Sequence, residues 1–208
     1  MRKKNTGYIL LILLVVAGFA GTFKTNTLTK QERKFAVNYL KDTRNDLIKS
    51  VKGLSEAQLN YKPAEDRWSI KECVQHLALT ENALRQMIDG SLKQPANPEK
   101  RTDIKVTDDQ LIKMVTDRST KVKTGEPLYP QNSKWKTTNE ALEEIKDKRG
   151  DLLHYVRTTT EDMRNHVVEG LPFGSADTYQ LVLMVAAHTN RHTQQLNEVK
   201  TDPGFPKN

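Results

Sequence analysis

The stretch Leu181-Val-Leu-Met-Val185-Ala-Ala-His188-Thr-Asn-Arg-His192-Thr-Gln-Gln-Leu196-Asn-Glu-Val199 decides how the chain folds. Leu181, Val185, Leu196 and Val199 share one face of a helix, and positions 188 and 192 are where that apolar stripe continues. The segment therefore reads as a helix from near Asp177 to about Lys200 that turns two histidines inward, one turn apart.

Working outward, the same period recurs. Thr137-Thr-Asn-Glu140 opens a helix with a capping pattern, and Leu142, Ile145, Leu152, Tyr155 and Val156 carry its stripe to about Thr160. Ser69-Ile-Lys-Glu72 opens another, with Ile70, Cys73, Leu77, Leu84 and Ile88 inward, Val74 and Met87 flanking, and an end near Asp89-Gly90. A first helix spans Thr29 to Val51 on Phe35, Ala36, Leu40, Leu47 and Val51, and Gly53 and Pro63 break the chain after it. Asp108 to Lys123, with Leu111, Ile112, Met114 and Val115, reads as a weaker helix inside an excursion. A Leu171-Pro-Phe-Gly174 turn precedes the last helix. No alternating β pattern of useful length is visible. The expectation is an all-α domain over residues 25–208, a four-helix bundle with a long crossover at residues 91–137.

Composition sets bounds on function. The chain has 208 residues, 36% hydrophobic and 28% charged, enough for one core. Its single cysteine, Cys73, excludes an internal disulfide and any multi-cysteine metal cluster, so a metal would fall to histidine or carboxylate. Of the formal charge of +7, Arg2, Lys3 and Lys4 supply three, leaving +4 downstream. Segments such as Lys41–Asp46 and Glu143–Arg149 mix both signs and read as solvated helix faces, which argues against nucleic acid as a partner.

Arg2-Lys3-Lys4 followed by an apolar run from Tyr8 to Phe23 has the pattern of a secretory signal, with Ala20 as a cleavage point. The run is shorter than the roughly 20 residues that span a bilayer comfortably, and an uncleaved anchor is the other reading. Residues 1–24 are thus a signal peptide or a membrane anchor, with attachment through residues 8–23. No cysteine stands at the end of the apolar run, so a lipoprotein anchor is not expected. The folded part is expected to be exported across, or anchored to, a bacterial inner membrane. There Cys73 would be a buried free thiol.

The five histidines separate by their helical positions. His188 and His192 lie within a stripe, His76 lies at the margin of another and can face the interior, and His154 and His166 belong to no stripe. The pair at i and i+4 can reach one cation, but His188-Thr-Asn-Arg-His192 lacks the glutamate of the helical zinc-protease motif. Three inward histidines from two helices form a neutral nitrogen site with open coordination positions, suited to zinc or nickel. The competing reading is hydrogen-bonded core histidines, against which stands a burial cost of several kcal/mol for unpartnered polar groups.

The block Trp68-Ser69-x-x-Glu72-x-x-x-His76-Leu77, together with the later His188-x-x-Arg191-His192, resembles the DinB-like superfamily of four-helix bundles, which also contains YfiT-like metal-dependent hydrolases. The resemblance covers roughly residues 30–200. It implies a bundle, usually a homodimer, in which His76, His188 and His192 hold one divalent metal. It also implies either hydrolysis or the thiol-dependent transfer that some members carry out on conjugates of small thiols. The N-terminal segment and the longer excursion depart from the family pattern.

The other block residues read from chemistry. Trp68 packs the helix entry, Glu72 caps its helix, and Cys73 is an apolar filler. Arg191 is expected to pair with a carboxylate or a partner copy, and Asn190 and Gln195 are candidates to orient the ligands. His166 is the candidate general base, if the connection before the last helix folds over the site. The expected function is a divalent-metal-dependent hydrolase or thiol transferase acting on a small molecule. The alternatives are an exported metal-binding or interaction module without turnover and a purely structural bundle.

Overall fold

A computed structural model describes residues 27–207. The signal or anchor expectation for residues 1–24 falls outside these, and no helix among the described residues is long and apolar enough to cross a membrane. Four long helices form the body: α1 (Lys30–Val51), α3 (Ile70–Leu92), α5 (Thr138–Thr158) and α6 (Thr178–Lys200). Two short ones accompany them, α2 (Glu56–Asn60) and α4 (Asp108–Thr116). Each of these six begins with a reciprocal cap, including Ser69 with Glu72, Thr137 with Glu140 and Asp177 with Gln180. Two of the four exposed amides of each first turn are satisfied locally in this way, which fixes where each helix starts.

Around the bundle α1 packs on α5 and α6, and α3 packs on the same two. The helix pairs α1/α3 and α5/α6, each consecutive among the long helices, therefore lie on diagonals. A short hairpin loop cannot make such a connection, and each diagonal is bridged by extra structure. Between α1 and α3 the expected break holds the small helix α2. Between α5 and α6 lies a β-hairpin, β1 (Val167–Leu171) with β2 (Gly174–Asp177), which corrects the all-α expectation. The expected turn at Pro172-Phe173 joins its strands. Gly174 takes φ +108 and Gly170 φ +76, backbone conformations that residues with a Cβ rarely adopt. The side chain of Asn97 donates to the Val167 carbonyl and accepts from its amide, tying the hairpin to the crossover. Such short strands, with their bulge and glycines, leave too little alternation to read from sequence.

The excursion between α3 and α5 is shorter in helix than expected. The helix starting at Asp108 ends at Thr116 rather than Lys123, because the Asp117 carboxylate accepts from the Ser119 amide and hydroxyl and turns the chain out. Leu111 is buried there, whereas Met114 is 42% exposed. On α1, Phe35 is likewise exposed and stacks on Tyr39 rather than joining the core. It lies one residue, about 100°, from the buried Ala36.

The core is two apolar clusters separated by a polar layer. One cluster contains Leu40, Leu84, Leu152 and Val185; the other contains Leu47, Leu77, Ile145 and Leu196. Between them each long helix contributes one polar residue: Thr43, Glu81, Arg149 and Thr189, all buried. Arg149 Nε and Nη2 donate to the two Glu81 oxygens at 2.7 Å each. Nη2 also donates to Thr189 Oγ1 at 2.9 Å, and Nη1 donates to the Leu40 carbonyl and Thr43 Oγ1. All five guanidinium protons have acceptors. The reading of residues 143–149 as a solvated face fails at Arg149, which is fully buried. Position 149 stands between Ile145 and Leu152 on the inward stripe, as Glu81 stands between Leu77 and Leu84 on its own.

Replacing Arg149 by Met leaves the Glu81 carboxylate buried without its partner, and should cost about 3–5 kcal/mol in urea denaturation. The Arg149→Met, Glu81→Leu double variant should recover most of that loss, because the two charges oppose each other's desolvation cost.

Candidate metal centre

The polar layer fixes the relative height of α3 and α6, and the histidines follow from it. His188 and His192 flank Thr189 on α6, and His76 lies five residues before Glu81 on α3. Their rings meet with centroids 4.5–5.1 Å apart. His188 Nε2 is 3.3 Å from His76 Nε2 and 3.1 Å from His192 Nε2. One nitrogen from each ring lies within 4.8 Å of the others, and this is the set among the described residues with metal-ligand geometry. His76 and His192 are buried, and His188 keeps partial solvent contact.

The tautomers follow from what surrounds the rings. His76 Nδ1 lies 2.8 Å from the Leu128 carbonyl, which only accepts, so Nδ1 carries the proton and Nε2 a lone pair. Thr80 Oγ1 donates to the carbonyls of its own helix, at 2.9 Å to His76, and accepts from His188 Nδ1 at 3.3 Å. His188 Nε2 then also bears a lone pair. His192 Nε2, 3.1 Å from His188 Nε2, can donate to one of these lone pairs, and the His76 lone pair remains for a cation. The separations match the ligand edges of a tetrahedral ion, about 3.3–3.4 Å for metal–nitrogen bonds of 2.0–2.1 Å. The chemistry of this donor set therefore fits a divalent transition metal.

Electrostatics agree. Burial lowers the His76 pKa below its ordinary value, against the opposing pull of the Leu128 carbonyl. Burial, then the proximity of His76 and Arg191, pushes His188 down to about 3. His192 lies well below the usual histidine range, through burial and then its two neighbours, with Gln195 working the other way. All three rings are neutral at physiological pH, the form that ligates. His192 Nδ1 is buried without a close hydrogen-bond partner. Asn190 is engaged by Gln194.

Trp68 forms a wall, 4.8 Å from the His76 ring and 6.0 Å from that of His192, nearly parallel to the latter. Glu72 is a cap and also pairs with Lys62 at 3.1 Å, so it is not free at the centre. Cys73 is a buried filler whose thiol is pushed up to about 12 by burial. His166 does not fold over the site. Its Nδ1 contacts the Asp162 carbonyl and its Nε2 the Gln94 carbonyl, beyond the C-terminus of α3. His76 lies 16 residues before that end, about 24 Å along the helix. Arg164, two residues before His166, pins this corner by pairing with Glu32, Asp108 and Asp177 at the N-termini of α1, α4 and α6. His154 is exposed. Sequence reasoning missed Leu128 and Thr80. Thr80 follows His76 by one turn and was within reach of a helical argument, whereas a carbonyl on an irregular loop leaves no trace in residue type.

The match of residues 39–196 to the DinB superfamily model covers most of the chain, and the protein belongs to that superfamily. One relative is an uncharacterised protein, YuaE of Bacillus subtilis (strain 168), 24% identical over 159 residues that cover 76% of this chain and 93% of the relative. The fold matches that of YfiT from Bacillus subtilis with a TM-score of 0.60 at 14% identity, over 86% of this chain and 92% of that one. YfiT is described as a probable metal-dependent hydrolase with an unusual four-helix bundle topology.

A histidine titrates near 6.5 in the unfolded chain, and these three titrate lower when folded. Between those limits the unfolded chain binds more protons, so their contribution is complete above about pH 6.5 and lost as the pH falls toward 3. Urea midpoints of metal-free protein should fall from pH 7.5 to pH 4.5, and less steeply in His188→Gln, His192→Gln. Equal slopes would show that the cluster does not contribute to acid sensitivity.

Proposed function

We propose that the chain is a divalent-metal-dependent hydrolase whose ligands are His76, His188 and His192, with thiol-dependent group transfer as the other reaction the site supports. The observation that carries this is the convergence of three imidazole nitrogens, with His188 Nε2 3.3 Å from His76 Nε2 and 3.1 Å from His192 Nε2. The fold shared with YfiT, described as a probable metal-dependent hydrolase, supports the same reading. Zinc or nickel suits three neutral nitrogens, and such an ion supplies Lewis acidity that activates water or a substrate thiol at its open positions.

The chain's own groups do the rest. Leu128 and Thr80 hold two rings in their ligating tautomer, Trp68 excludes water from one side, and partly accessible His188 marks the open side. Both candidate protein bases are engaged elsewhere, Glu72 in its cap and His166 at the far end of α3. The same engagement favours a second reading, a module that holds a metal without turnover. The proposal includes a small-molecule substrate, a homodimer, no nucleic acid and an extracytoplasmic or membrane-anchored setting.

The purified protein should contain near one equivalent of zinc or nickel by mass spectrometry, and the His188→Ala, His192→Ala double variant should lose it. Hydrolysis of activated esters or amides, or transfer to a small thiol, should disappear in the same variant. Metal bound without turnover would select the second reading. No metal after reloading would overturn both.

A further inference from the structure

Arg191, between the two α6 histidines, was expected to face a carboxylate or a partner copy. Instead its guanidinium donates to three backbone carbonyls of the crossover: Val115, Asp117 and, at 2.8 Å, Thr120. Val115 belongs to the end of α4, and Asp117 and Thr120 begin the segment of residues 117–128, which leaves α4 against α6 and reaches α3 through a 3-10 turn at Glu126–Leu128. At its far end the Leu128 carbonyl is the acceptor for His76 Nδ1. The segment thus runs from the residue beside one histidine pair to the ring of the third ligand.

Its middle is tied down by exposed ion pairs. Arg118 chelates Glu198 of α6 at 2.7 and 3.2 Å, and Lys121 pairs with Asp66 at 3.0 Å, two residues before Trp68. Exposed pairs of this kind contribute little individually. Residues 119–123 are exposed and bury no apolar side chain, and Val122 is 72% exposed. Such a segment opens at small cost unless its ends hold it.

Resting on the metal-site reading above, we propose that residues 117–128 form a strap over the three-histidine centre, and that Arg191 is the positioning residue that latches it. Closure presents the Leu128 carbonyl to His76 and fixes that ring in its ligating tautomer. A cation on Nε2 polarises the opposite N–H and strengthens its bond to Leu128, so occupancy of the centre and closure of the strap favour each other reciprocally. Opening at the Arg191 end gives a small molecule access from the α6 side.

The test is limited trypsin digestion of the intact protein, followed at Lys121 and Lys123, with and without added zinc. Zinc should slow cleavage there severalfold. Arg191→Met should speed cleavage at those two sites, abolish the zinc protection and weaken zinc affinity about tenfold, as loss of a group that orients a ligand does. Arg191→Lys should restore part of the protection. A merely structural role for Arg191 would raise cleavage throughout the chain instead, and cleavage at these sites indifferent to both zinc and Arg191→Met would overturn the strap. If the protein binds no zinc, the metal reading fails separately. His76→Ala must then still accelerate cleavage at Lys121 and Lys123 in the metal-free protein, and no acceleration there also overturns the proposal.

Discussion

The geometry of the molecule depends on one charged guanidinium held in the middle of the bundle. Arg149 meets the Glu81 carboxylate and oxygens of α1 and α6 at a single level, so all four long helices are indexed to one another by directional bonds. Apolar side chains above and below would tolerate a shift by a turn, because leucine packs against leucine in several registers. A buried guanidinium displaced by one turn would lose its acceptors, and an uncompensated buried charge is among the costliest defects a fold can hold. The histidine cluster inherits its precision from this layer, since Thr189 belongs to it and His188 and His192 lie on either side.

The centre itself combines directional and bulk effects. Burial keeps the three rings neutral, and the carbonyl of Leu128 and the hydroxyl of Thr80 choose which nitrogen carries each proton. The outcome is a convergence of three neutral imidazole nitrogens in a mostly buried site. His76 presents a lone pair to this cluster while it donates to Leu128.

Much of this was legible in the sequence because helices repeat locally. The stripe through Leu181 and Val185 located His188 and His192, the capping pattern at Ser69 placed His76 at the end of the second turn of its helix, and these positions follow from 3.6-residue periodicity. The charges at 81 and 149 interrupt their stripes and offered a signal of the same kind, obscured at 149 by the surrounding run of solvated charge. The hairpin was not legible, because its strands hold four and five residues and the first amide, that of Val167, takes its partner from Asn97, seventy residues away.

Residue pattern by itself determined the four long helices, their starting points, most of their inward faces, Phe35 and Arg149 excepted, and the placing of His188 and His192 on a stripe, since each is set by contacts within a few residues along the chain. Tertiary structure alone decided that α1 and α3 lie on a diagonal, that Arg149 is buried, that His166 lies far from the centre, and that a loop carbonyl orients His76. Those facts depend on groups separated by tens of residues, several of them backbone atoms common to every amino acid. No side-chain pattern can encode which carbonyl arrives.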